Sequence, residues 1–223
     1  MKPFADILAL AAGNKGGEAE VEKLLPEVKS AAELTAVADD RILALMTKCV
    51  FQSGFSWKVI EQKWDGFEDA FHGFKPGRIT AMSDEDLEKL LQNTAIVRNG
   101  AKIRATRDNA AFVAALATEH GGTGKFLAGW PGDDITGLWD TLKTRGSRLG
   151  GATGQFFLRR LGKDTPVMSA HVVAALVREG VVDKAVTAKR DLAWMQEAFN
   201  AWHAQSGRPL AHISRILAMT VDG

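Results

Sequence analysis

The chain has 223 residues, 46% of them apolar and 25% charged, which is ordinary for a globular protein of one large domain or two small lobes. It contains no run of about 18 apolar residues and no secretion-signal pattern, so we expect neither a membrane span nor export. The single cysteine, Cys49, excludes an internal disulfide and a zinc site with several thiolates, and a cytoplasmic protein is the simplest interpretation.

Apolar residues recur at spacings of three and four along most of the chain, which predicts an all-α fold of about a dozen short helices. Capping residues and helix breakers mark where these helices begin and end. The predicted helices span residues 4–12 and 18–25, start after N-caps at Ser30 and Asp39, and continue at 57–63, 65–73, from Ser83, 101–120, 133–145, 152–161, 169–179, 187–203 and from 210 onward.

Two local patterns are more specific than the general periodicity. Ser83 precedes Asp86 by three residues, which is the spacing of a capping box. The glycine-rich stretch 121–124 predicts a flexible break. We expect one helical domain over residues 1–223, in which 1–40 and 180–223 pack together as a terminal lobe and 41–179 form the core.

Basic residues are concentrated in two segments of the chain. Residues 89–107 hold five basic residues and no acid, and residues 141–163 hold six basic residues and no acid. Because the net charge is +1, the rest of the chain is at −10. This uneven distribution favours a protein that contacts a nucleic-acid backbone, although helices with ordinary basic faces are the alternative.

The second basic segment contains a pattern typical of a helix-hairpin-helix. One helix ends at Gly146, a short turn holds Leu149 among basic residues and glycines, and a second helix follows at once. Gly150 and Gly151 would let the backbone approach a phosphate without a Cβ clash. The free N–H groups that begin the second helix favour an anion. The alternative is an ordinary corner between two helices.

Four separated segments together carry a resemblance to a known family. They are residues 51–57 (FQSGFSW), 70–76 (AFHGFKP), 96–103 (IVRNGAKI) and the hairpin at 143–153. In their order and spacing they resemble the bacterial 3-methyladenine DNA glycosylase I family, within the helix-hairpin-helix DNA glycosylases. The similarity extends over about residues 41–177, whereas the first 38 and the last 40 residues resemble the family weakly or not at all.

The resemblance implies a fold and a reaction. Family members fold as helical lobes around a base-binding cleft and hydrolyse the N-glycosidic bond of N3-methyladenine after flipping the base. Alkylation at N3 makes the base cationic and a good leaving group, so the reaction needs little acid catalysis. An aromatic face and a hydrogen-bonding carboxylate or carbonyl would favour the cationic base over neutral adenine.

The first segment supplies three of the implied site residues. Trp57 stands at the family's aromatic pocket position and is expected to stack on the flipped base; the alternative is a tryptophan of the core. Gln52 and Ser56 flank the ring and are expected to hydrogen-bond the edge of the base. Ser56 also suits the N-cap of the helix that follows.

Two further candidates are Glu61 and His171. The family's acid that contacts the base would fall at Cys49, so we expect Glu61, one helical turn after Trp57, to replace it; a solvated helix charge is the alternative. Related enzymes carry a water-activating aspartate in the neighbourhood of Ser169 and His171, and His171 is expected to contact the sugar or the water. The alternative is a histidine at a helix start that faces solvent or a phosphate.

The resemblance also implies the partners. We expect a monomer that binds double-stranded DNA containing an alkylated purine and no membrane. Studied family members have a zinc site from terminal cysteines and histidines, and since this chain has one thiol we expect no metal and no cofactor. The expected DNA contacts are Arg98, Lys102, Lys143, Arg145, Arg148, Leu149, Gly150, Gly151 and Thr153.

Strand cleavage is not expected, because the lyases of the superfamily need a lysine early in the second hairpin helix and residues 152–158 contain none. Three alternatives to the main hypothesis remain open. The first is a DNA-binding protein of this fold with altered or lost catalysis. The second is a glycosylase for another alkylated purine, consistent with the absence of the family's pocket tyrosines. The third is a helical protein–protein module.

Overall fold

The computed structural model describes residues 1–186 and 188–221, which form fifteen α-helices and no β-strand. The helices are α1 (Phe4–Lys15), α2 (Glu18–Lys23), α3 (Ala31–Thr35), α4 (Asp39–Gln52), α5 (Trp57–Gln62), α6 (Trp64–Ala70), α7 (Pro76–Thr80), α8 (Asp84–Leu90), α9 (Gly100–His120), α10 (Thr123–Gly129), α11 (Ile135–Arg145), α12 (Ala152–Leu161), α13 (Ala170–Arg178), α14 (Lys189–Ser206) and α15 (Leu210–Met219). The all-α prediction is therefore confirmed. No helix in these ranges is both long and apolar enough to cross a bilayer.

Several helix starts are where the capping chemistry predicted them. Ser30 and Ser83 each accept a hydrogen bond from the amide three residues later, and Glu33 and Asp86 return the bond as complete capping boxes. Ser169 caps α13 in the same way with one bond. Each such cap stabilises a helix by about 1 kcal/mol, so these short helices are specified locally.

Other predicted boundaries were wrong. The first helix does not end at Gly13 but continues to Lys15 and ends at Gly16, whose φ of 86° suits a glycine. The short helix α7, which has Pro76 in its first turn, was not predicted. The helix predicted from residue 187 begins at Lys189, and Thr187 itself lies outside the described residues.

The predicted break at 121–124 is shorter than expected: Gly121 and Gly122, with φ values of 76° and 137°, separate α9 from α10, which begins at Thr123. A Cβ on Gly124 would lie 2.3 Å from the carbonyl oxygen of Leu34, so this glycine permits close packing of α10 on α3. Asp39 was expected to cap α4, but it is the first residue of that helix and accepts a hydrogen bond from the Thr123 amide at 2.8 Å. The glycine serves packing, and the acid caps a different helix.

The described residues form two compact units. The first comprises residues 1–29, 131–138 and 158–221, and the second comprises residues 30–130 and 139–157. Helices α11 and α12 each contribute residues to both units. The organisation as one domain with a terminal lobe remains a prediction.

In the first unit, the N-terminal helix packs against C-terminal helices. Helix α15 contacts α1, α13 and α14. The buried Trp202 of α14 donates its indole N–H to the carbonyl of Lys2 at 3.2 Å, and the Phe4 amide donates to Gln205 at 2.8 Å. The beginning of the chain is thus held to its last helices by packing and direct hydrogen bonds.

In the second unit, α4 packs across the long helix α9, and an aromatic cluster lies beneath the end of α4. The fully buried rings of Phe51, Phe67, Phe71 and Phe74 follow one another at centroid distances of 4.7, 6.2 and 5.6 Å. Each buried phenylalanine contributes about 2–3 kcal/mol. The C-terminal end of α4, which carries Gln52, is therefore held by the packing of buried aromatic rings.

Candidate functional site

The corner between α4 and α5, residues 51–56, presents aromatic rings to solvent. Helix α4 ends at Gln52, and Gly54 turns the chain with a φ of 77°. Phe55 is 40% exposed and Trp57, the first residue of α5, is 53% exposed. The edge of Trp57 faces the ring of Phe156 on α12 at 6.3 Å. Trp57 is therefore not a core tryptophan, and its exposed ring is available to a planar ligand.

Gln52 and Glu61 are joined by a hydrogen bond beside this corner. The Glu61 carboxylate accepts from the Gln52 amide nitrogen at 3.0 Å and from the Lys48 ammonium at 2.9 Å. Gln52 is 4% exposed, whereas about half of the Glu61 side chain remains exposed. Lys48 also lies over the ring of Trp64 at 4.3 Å. Glu61 is thus a half-exposed carboxylate that two partners orient.

Ser56 and His171 occupy less distinctive positions. Ser56 stands at the N-cap of α5 and is exposed, but among the described residues its side chain makes no capping bond to that helix, so the predicted bond was wrong. His171 is the second residue of α13, is exposed, and belongs to the first unit, whereas Trp57, Gln52 and Glu61 belong to the second.

The hairpin is built as predicted from two helices and a glycine-rich turn. Helix α11 ends at Arg145 and α12 begins at Ala152. A Cβ on Gly146 would lie 2.7 Å from the Leu142 carbonyl oxygen, and one on Gly154 would lie 2.1 Å from that of Leu149. These two glycines therefore permit the close approach of the turn to its own helices.

A residue outside the hairpin fixes the shape of its turn. The side chain of Asn109 on α9 accepts from the Ser147 amide at 2.7 Å and donates to the Ser147 carbonyl at 3.0 Å. Asn109 is fully buried, so its amide depends on these two bonds in place of water. The sequence pattern did not single out Asn109, although an asparagine on the apolar face of a long helix is an exception to that pattern.

The turn exposes part of the predicted DNA-contact set. Lys143, Arg148 and Gly151 are exposed, and Gly150 and Thr153 are partly accessible. Arg148 and Gly151 have φ values of 60° and 57°, so the backbone is left-handed at both positions. Leu149 is only 1% exposed and fills the interior of the hairpin, so its predicted role in contacting DNA was wrong.

Two other predicted DNA contacts have protein partners. Arg145 pairs with Glu119 at 2.7 Å, a hydrogen bond that lowers the pKa of the Glu119 carboxyl, and its guanidinium lies 5.4 Å from the centroid of Phe112. Lys102 is only 6% exposed and its ammonium faces carbonyl oxygens inside the protein. Lys102 is therefore not the exposed cation that the basic segment predicted, whereas Arg98 is exposed.

Not every residue of the two basic segments is a surface charge. Burial lowers the pKa of the Lys102 ammonium, and the nearby charge of Arg148 lowers it further. The second basic segment is not entirely a surface, because Arg159 donates twice to the Thr165 carbonyl, at 3.1 and 2.7 Å, and Lys163 is buried. Burial lowers the pKa of Arg159 to about 10. The exposed basic residues of the hairpin are thus Lys143, Arg145 and Arg148, of which Arg145 is paired with Glu119.

Comparison with known proteins gives consistent matches. The methyladenine glycosylase family model matches residues 34–146. The DNA-3-methyladenine glycosylase 1 of Escherichia coli K12 is 39% identical over 59 residues, 26% of this chain and 32% of that protein. The chain spans about a third of the length of the curated relatives it matches.

Solved structures extend the similarity to the fold. A crystal structure of 3-methyladenine DNA glycosylase I has a TM-score of 0.51 and 27% identity, covering 64% of this chain and 85% of that one. The 3-methyladenine DNA glycosylase I of Staphylococcus aureus has a TM-score of 0.51 and 26% identity, covering 56% and 77%. The expected fold of helical glycosylases is therefore confirmed.

Proposed function

The chain belongs to the methyladenine glycosylase family, as its four ordered segments predicted, and we propose that it is a DNA glycosylase that releases N3-methyladenine by base flipping. The observation that carries this proposal is the exposed ring of Trp57 next to the hydrogen-bonded pair of Gln52 and Glu61. These three groups offer a stacking face, an amide and a carboxylate at one corner. A flipped, positively charged purine needs these kinds of contact.

The roles follow from the charge of the damaged base. The Trp57 ring stacks on the flipped base and attracts its positive charge, which neutral adenine lacks. Glu61 supplies the negative charge that the family's acid would supply from position 49, where this chain has Cys49. Lys48 and Gln52 hold that carboxylate in one orientation, so less entropy is lost on binding. Ser56 contacts the edge of the base.

The chemical step is hydrolysis without a covalent enzyme intermediate. The cationic base leaves with its electron pair from the glycosidic bond, water attacks the sugar carbon, and a proton is released from that water. Neither a metal nor a cofactor is required, and the proposed enzyme does not cut the strand. His171 contacts the sugar or the attacking water.

The hairpin binds the phosphate backbone of double-stranded DNA. Arg148, Lys143 and Arg98 supply exposed positive charge, and the turn at Gly150 and Gly151 brings backbone N–H groups to a phosphate. Such contacts position the duplex without reading its sequence. The proposed enzyme acts as a monomer in the cytoplasm.

The direct test is release of free base from methylated duplex DNA, with 3-methyladenine and 7-methylguanine separated by chromatography. We expect 3-methyladenine to appear and 7-methylguanine to remain in the DNA. Release of both bases would instead indicate a glycosylase of broader range, which the missing pocket tyrosines would permit. DNA binding without release of any base would support the catalytically altered alternative.

Replacing Glu61 with glutamine tests the carboxylate. The change keeps the size of the side chain but removes its charge, so we expect release of 3-methyladenine to fall about tenfold in single-turnover assays. The dissociation constant for undamaged duplex should stay within about twofold, since no phosphate contact is changed.

The matched control is Glu88→Gln, which removes a negative charge from the exposed face of α8. It should release base at the rate of the unmodified enzyme. Equal rates for E61Q and E88Q would show that Glu61 takes no part in holding the base.

A further inference from the structure

We propose that Lys102 is a positioning residue whose ammonium holds the α4–α5 corner, residues 51–56, in the shape that presents Trp57 to the base. The inference rests on the proposed function, because the corner belongs to the proposed base-binding site. It replaces the phosphate contact that the sequence suggested for this lysine. Its basis is the set of contacts that the buried ammonium makes.

The ammonium lies against backbone carbonyls and aromatic faces of the corner. It donates to the carbonyl of Phe51 at 3.2 Å and to the carbonyl of Ser53. It also lies 4.4 Å from the ring centroid of Phe55 and 5.9 Å from that of Phe51. A single charged group thus contacts the corner from both its backbone and its side chains.

These carbonyls stand at a helix end, where the helix itself leaves them without partners. The Cys49 and Gln52 carbonyls accept from the amides of Ser53, at 3.1 Å, and Phe55, at 3.3 Å. The Phe51 carbonyl accepts from Lys102, which lies 51 residues further along the chain. The negative end of the α4 dipole also favours a cation here. Lys102 therefore caps α4 from another helix.

The Asn99 cap fixes the backbone of Lys102, and the charge of its ammonium is unfavourable at this position. The Asn99 side chain, which caps α9, accepts from the Lys102 amide at 3.1 Å. The ammonium belongs to the first turn of α9, where the helix dipole disfavours a positive charge, and both burial and Arg148 lower its pKa. A methionine would fill similar space without this cost. The carbonyl contacts offset the cost, which indicates that the ammonium serves the corner.

The test combines Lys102→Met with amide hydrogen exchange of the DNA-free protein. We expect the amides of Ser53 and Phe55 to exchange about tenfold faster, because the corner loses its cap. Amides of the hairpin helices α11 and α12 should keep their protection. Single-turnover release of 3-methyladenine should fall about tenfold, with the dissociation constant for duplex within about twofold.

The control is Lys125→Met, an exposed lysine on α10 that should leave both measurements unchanged. Unchanged protection at Ser53 and Phe55 in K102M would overturn the proposal, and so would an equal loss of protection throughout the protein. If K102M does not fold, Lys102→Gln takes its place under the same criteria. Exchange is measured without DNA, so it decides the role of Lys102 even if the unmodified protein releases no base.

Discussion

Replacing Trp57 with alanine should lower the rate of 3-methyladenine release about 10- to 100-fold, which is the stacking and cation–π contribution of one aromatic face to a flipped base. Trp57 is 53% exposed, and the edge of its ring faces Phe156 at 6.3 Å. Removing the ring therefore takes away a surface for the base and little of the core. Binding of undamaged duplex should change less than about threefold, because the hairpin contacts remain.

Two variants make the Trp57 measurement specific. Trp57→Phe keeps an aromatic face and should retain most of the activity. Trp194→Ala removes a tryptophan that is 39% exposed in the first unit and should leave base release unchanged. Single-turnover assays on methylated duplex measure all three. If W57A released base at the wild-type rate, Trp57 would not be part of the base-binding site.

Replacing Gly154 with alanine should destabilise the hairpin by about 3 kcal/mol, because the new Cβ cannot coexist with the present turn. That Cβ would lie 2.1 Å from the carbonyl oxygen of Leu149, and a backbone atom cannot move aside as a flexible side chain can. We expect the melting temperature to fall by about 10 °C. Duplex binding in a salt titration should weaken as well, since the turn carries Arg148.

The control is Gly129→Ala at the end of α10, where an added Cβ would meet no atom of the described residues within 4 Å. That change should leave the melting temperature within about 2 °C of the original, as expected for an uncrowded helical position. A G154A protein that melts and binds DNA like G129A would contradict the close approach of the turn to α12.

Local chemistry in the sequence predicted the helices and part of the site. Capping boxes at Ser30 and Ser83 are decided by neighbours within four residues, and both were confirmed. Gly124 could not be assigned in this way, because its packing depends on Leu34, which is 90 positions away. Lys102 was misassigned for the same reason. The basic segment around it indicated a surface cation, but its ammonium donates to the Phe51 carbonyl of another helix inside the protein.

Helix α9 makes two of the contacts described above, and their spacing has a mechanical consequence. Lys102 holds the α4–α5 corner and Asn109 holds the hairpin turn, seven residues apart on one helix. Seven residues are two turns, so both side chains leave the same face about 10 Å apart along the axis. The segment of α9 between Lys102 and Asn109 therefore sets the distance between the corner that presents Trp57 and the turn that carries Arg148. Loops elsewhere can vary in length without changing that distance. One residue inserted between Lys102 and Asn109 would rotate one of these side chains by about 100° about the helix axis.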